Sequence, residues 1–122
     1  TNVYDTDLAV RLTDVYPDGR SILLCDGIQR ACLRKGYHKP VPLKPGRAQL
    51  ITVHVGNTSL IFARGHRMRI IISGSNFPRY KVNDNRAFFP QKPLKPVVAR
   101  IAVLMGKPFP SYLEVPFVTT SN

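Results

Sequence analysis

Side chains alternate between apolar and polar with a period of two along most of this chain, and 11 prolines cut it into short pieces. In "LAVRL", Leu8, Val10 and Leu12 share one face while Ala9 and Arg11 share the other, as a strand with one buried face requires. "AQLITVHVG" sets Ile51, Val53 and Val55 against Thr52 and His54, and "HRMRIIIS" sets Met68, Ile70 and Ile72 against Arg67, Arg69 and Ile71. Both read as strands with one wet face. Two closing runs, "VARIAVLM" and "SYLEVPFV", read the same way, and Pro116 places the second at a sheet edge or a ladder end. Roughly seven or eight short strands with no credible long helix make an all-β sandwich or barrel.

The punctuation between strands is local. Pro17-Asp18-Gly19 fixes φ at the start of a turn and frees it at the end, so "SILLCDG" follows as a second strand. Gly27, inside "ILLCDGIQRACLR", either turns the chain or opens a bulge. "KGYHKPVPLKPG" (35–46) is too rich in proline and glycine to keep donating to a ladder and reads as a loop. "NTSLIFARG" fits a brief strand or one helical turn before a tight reversal at Gly65. From Asn76 to Lys95 runs a long loop, with a Pro-rich part at 84–98. Pro90, Pro93 and Pro96 suit an extended left-handed stretch within it, more in keeping with a structured loop than with a polyproline ligand.

With 122 residues the chain is a single domain, 1–122, able to bury roughly two-thirds of its unfolded surface. Its 43% apolar content is too high for disorder. No apolar run approaches the ~20 residues that cross a bilayer, so no membrane span is expected. No basic leader precedes "TNVYDTDLAV", which leaves a soluble chain that is either cytoplasmic or exported after leader removal. A net charge of +11 raises nucleic acid as a partner. The cations are scattered, with no basic helix and no stacking aromatics on a strand, and this pattern disfavours nucleic acid against a solvated basic face or an acidic partner. Cys25 and Cys32 stay apart whether Asp26-Gly27 turns the chain or the strand runs on, and both read as small core residues without a metal.

No residue set assembles a catalytic site. The G-x-S-x-G of a strained nucleophile turn is absent, and Ser75 in "SGSNF" reads as a turn former. His38, His54 and His66 have no acid close in sequence to orient them and read as surface histidines. Asp5 and Asp7 point the same way, a single pair where calcium needs six to eight oxygens. Hydrogen bonding to backbone amides is the simpler reading for them, and Glu114 reads as the wet face of its strand. No cofactor is implied.

Three separated stretches carry a resemblance: "DTDLAVRLTDVYPDGRSILLCDGIQRA" (5–31), "GHRMRIIISGSNFPRY" (65–80) and "PSYLEVPFV" (110–118). Together they resemble the C-terminal, non-catalytic domain of the X-prolyl dipeptidyl aminopeptidase and cocaine esterase (CocE/NonD) family of serine hydrolases. Segment 84–100 departs from the small glycine-bearing loop typical there. The resemblance implies a jelly-roll, galactose-binding-like β-sandwich packed on a separate α/β-hydrolase catalytic domain, which holds the Ser, Asp and His. It also implies that the first strands of the sandwich are missing, leaving an unpaired edge beside residues 8–15 through which a homodimer could form. Asn76, Phe77, Pro78, Arg79, Tyr80 and Asn83, around the "SNFPR" motif, are then the expected interdomain contacts. Phe77, Arg79 and Tyr80 are types enriched at interface cores; the alternative is that Phe77 and Pro78 cap the domain's own core. A stand-alone carbohydrate- or polyanion-binding module is the competing function.

Overall fold

The computed structural model describes residues 1–86 and 95–117. β1 (Asp7–Val15), β2 (Ser21–Arg30) and β3 (Arg67–Ser73) form one antiparallel sheet in the order β2-β1-β3. One 3-10 turn, Ala31–Leu33, follows β2, so the all-β expectation holds. The β1–β2 turn closes as its residues dictate: Tyr16 donates to the Arg20 carbonyl, and Gly19 takes φ of 90° while donating back to Tyr16. Segment 35–46 is the expected loop, tied down by amide bonds from Val41 to the Cys32 carbonyl and from Leu43 to that of Tyr4. The reversal before β3 closes with His66 N–H on the Ala63 carbonyl and Gly65 at φ 86°.

Register separates the two faces. Val10 opposes Gly27 and Ile72, and Leu12 opposes Cys25 and Ile70, so even-numbered β1 residues share one face with these. Arg11 opposes Asp26 and Ile71, and Thr13 opposes Arg69. β3 therefore carries Met68, Ile70 and Ile72 on one side and Arg67, Arg69 and Ile71 on the other, as its alternation requires.

Several expectations are corrected. β1 is the central strand, paired on both sides; no open edge lies beside residues 8–15, and among the described residues the edges of the sheet are β2 and β3. Nor has β1 a wet face. Ala9 and Thr13 are as buried as Val10 and Leu12, because Asn76 and Asn83 reach Asp26 and Asp7 and so draw loop 76–83 across the odd-numbered face. Gly27 neither turns the chain nor marks the bulge; β2 runs straight through it, and the register slips at Leu24, which has no partner on β1. Gly27 is instead a point of close approach: a Cβ there would stand 1.8 Å from the His54 carbonyl oxygen.

The strands expected at 48–56, 98–105 and 111–118 form no ladder among the described residues. Residues 51–55 keep the period-two accessibility, Ile51, Val53 and Val55 half-buried between exposed Thr52 and His54. Alternation without a ladder is physically consistent, since a ladder also needs a neighbour with aligned N–H and C=O groups. Pro90 and Pro93, with much of the 84–98 loop, and Val118 lie outside the described residues. The core holds Val3, Ala9, Val10, Leu12, Val15, Ala31, Cys32 and Leu43. It gathers around β1, with Val3, the 3-10 turn at Ala31 and Cys32, and Leu43 near the end of loop 35–46.

Candidate functional site

Loop 75–83 leaves the end of β3 and is fixed by side chains rather than by a ladder. Ser73 Oγ donates to the Ser75 carbonyl at 2.9 Å, and Ser75 Oγ accepts the Phe77 amide at 3.4 Å, the turn-forming role expected of Ser75. Tyr80 N–H closes the turn on the Asn76 carbonyl at 3.1 Å. Asn76 Nδ2 donates to Asp26 Oδ2 at 3.0 Å, and Arg79 Nε reaches the same oxygen at 3.1 Å. Arg79 also lies 5.7 Å from the Tyr80 ring centroid. The Tyr80 hydroxyl first, and the Asp26 charge second, push the Arg79 guanidinium still higher than its ordinary range. Asn83 Nδ2 donates to Asp7 Oδ1 at 2.9 Å.

Asn76 and Asn83 thus point inward as tethers, Arg79 spans the surface, and Tyr80 is half-buried. Between the tethers Phe77 is 71% exposed and Pro78 is exposed as well. The alternative in which these two cap the domain's own core does not match that exposure.

Beneath the loop lies a buried polar layer whose spacing gave little notice of it. Asp5, 1% exposed, accepts Arg30 Nε at 2.6 Å and the Cys32 amide at 3.0 Å. The backbone-amide reading of Asp5 holds, and the buried ion pair is added to it. Thr6 Oγ1 donates to Asn85 Oδ1 at 2.8 Å, Asn85 Nδ2 donates to the Val97 carbonyl at 2.7 Å, and Asn85 sits at φ 61°, a region asparagine tolerates. Desolvation raises Asp7 above the ordinary carboxylate range, more than the Asn83 bond and the Arg30 charge lower it. Desolvation also pushes the Cys32 thiol up to about 12, helped by Asp5, so it is neither a thiolate nucleophile nor a ready metal ligand at neutral pH. Among the described residues one buried side-chain nitrogen, Arg11 Nε, has no hydrogen-bond partner.

His66 corrects a further expectation. It is no free surface histidine: Nδ1 sits 2.8 Å from Asp14 Oδ2, and its ring centroid is 4.2 Å from that of Tyr16. Asp14 is 52 residues away in sequence, beyond any local pattern. The pair has the Asp–His half of a hydrolytic triad, but among the described residues no serine or cysteine hydroxyl or thiol bonds the ring. It pins the turn before β3 to the end of β1. His38 and His54 are exposed, as expected. Among the described residues no three of His, Cys, Asp and Glu gather to hold a metal, and no helix is long and apolar enough to cross a membrane.

The profile of the X-Pro dipeptidyl-peptidase C-terminal non-catalytic domain matches residues 1–114 of this chain. Cocaine esterase of Rhodococcus sp. (strain MB1 Bresler) is 32% identical over 120 residues, which cover 97% of this chain and 21% of the esterase. The chain spans about a fifth of the length of that relative.

Proposed function

This chain belongs to the family of X-Pro dipeptidyl-peptidase C-terminal non-catalytic domains, and from that premise we propose that it is the accessory β-sandwich of a serine hydrolase acting on X-prolyl peptides or on esters and amides. It supports an α/β-hydrolase domain and frames the mouth of that domain's substrate pocket. Loop 75–83 makes the contact, with Phe77 as the apolar anchor and Arg79 and Tyr80 beside it. The observation that carries this reading is Phe77, 71% exposed on a loop fastened on both sides. An aromatic ring held out on an ordered loop is the type of group that dominates an interface once a partner covers it.

Exposed apolar side chains point the same way. Val98, Met105, Tyr112 and Phe117 are each more than 70% exposed, and an open groove of ≈ 560 Å³ runs between Leu8 and Ile72 on the sheet and Val97 to Val103. Apolar surface on this scale calls for a partner. A homodimer competes for that role, with the outer edge of β3 as its place on the sheet.

The test is hydrolase stability. Expressed with an α/β-hydrolase domain from the same reading frame, the chain is expected to lengthen the thermal half-life of ester hydrolysis, and Phe77→Ala is expected to remove most of that gain. An unchanged half-life with and without the chain contradicts the proposal. The stand-alone carbohydrate- or polyanion-binding reading draws on exposed Arg67 and Arg69. It requires retention on a sugar or polyanion resin, steeply lost with salt in the polyanion case.

A further inference from the structure

We propose that Asp26 is the positioning residue of the docking loop: one buried carboxylate oxygen takes Asn76 and Arg79 from either side of Phe77 and so sets how the ring is presented. The inference rests on the reading above that Phe77 meets the hydrolase domain. Asp26 lies in the middle of β2, directly opposite Arg11 in the β1 ladder, so its backbone is fixed by the sheet. Its side chain is 6% exposed. Asn76 Nδ2 and Arg79 Nε converge on its Oδ2 at 3.0 and 3.1 Å, and the two residues between them in sequence are Phe77 and Pro78. Each end of that short span is therefore referred to one atom of the rigid sheet.

The energetics separate positioning from bulk stability. The Arg79 end of the pair is 61% exposed while Asp26 is 6% exposed, so water screens the attraction from the arginine side and its share of global stability is small. What the pair and the Asn76 bond provide is direction. Two donors on one fixed acceptor restrict the arc over which the loop can swing, and an ordered loop binds without the entropy loss that a free one incurs. Arg79 also stands between Asp26 and the Tyr80 ring, so removal of the carboxylate frees both residues that follow Pro78.

The test has two arms. On the chain itself, hydrogen exchange of the Phe77 and Tyr80 amides is compared among the native sequence, Asp26→Asn and Arg79→Gln. About tenfold faster exchange is expected in both variants, with a nearly unchanged melting temperature, as for local opening. In the second arm the same variants and Phe77→Ala are titrated with the separately expressed α/β-hydrolase domain. Asp26→Asn and Phe77→Ala are each expected to weaken binding about tenfold or more, and the double variant to be no weaker than Phe77→Ala, because the two act through one contact. Unchanged exchange in Asp26→Asn and in the surface variant Arg79→Gln overturns the positioning role, whatever Phe77→Ala does. Faster exchange together with full binding by Phe77→Ala instead overturns the docking reading and leaves the tether standing.

Discussion

Asp7 carries a charge that the fold desolvates. Its folded pKa lies above the ordinary 3.8, so the folded state holds the proton more tightly than the unfolded chain does. Any stability this linkage contributes is present below pH 3.8 and is lost as pH rises through the folded value. Asp7→Asn keeps a carbonyl for Asn83 Nδ2 and removes the charge. It is expected to raise the melting temperature at pH 7 and to bring no gain below pH 3.8, where Asp7 is protonated in both states. A lower melting temperature at pH 7 would show that the attraction of Arg30 outweighs desolvation. Cys32 offers a second check at this scale. With 1% exposure and a thiol pushed up to about 12, it should resist alkylation in the native state while half-buried Cys25 reacts slowly. Equal labelling of the two without denaturant would contradict the packing around Asp5 and Arg30.

At the scale of elements, Gly27 decides whether segment 51–56 can lie beside β2. The His54 carbonyl oxygen, 1.8 Å from where a Cβ would stand, and the carbonyl carbon at 2.8 Å belong to backbone, which cannot rotate aside as a side chain can. Gly27→Ala should destabilise by about 1–3 kcal/mol, the usual range for overpacking, read as a lower urea midpoint. An unchanged midpoint would place segment 51–56 elsewhere. The strands β1, β2 and β3 and the turn at Pro17-Asp18-Gly19 were legible in the sequence because alternation and turn chemistry are local. The use of Gly27 was not, since its reason is a backbone 27 residues further along the chain. The same limit hid the partners of His66 and Asp26, which lie 52 and 50 residues away. Loop 75–83 was found through a resemblance carried by "SNFPR"; the carboxylate that holds it sits in "LCDGI", where the sequence offers a turn or a bulge and no sign of a distant partner. Period two marked 98–105 and 111–118 as strands, yet pairing depends on what neighbours them, and no run of residues specifies that.

For the whole molecule, the balance is between a core gathered around one central strand and a large apolar surface left open. The small sheet buries β1 on both faces, whereas Val98, Met105 and Phe117 are each more than three-quarters exposed. That balance supports the proposal that the chain serves beside a hydrolase domain, and the chain matches about a fifth of the length of an esterase. Light scattering coupled to size exclusion tests this most directly, on the chain alone and mixed with any α/β-hydrolase domain that its reading frame encodes. The account predicts a 1:1 complex that Phe77→Ala weakens. A chain that keeps its own mass in the mixture, or a reading frame with no such domain, would contradict it.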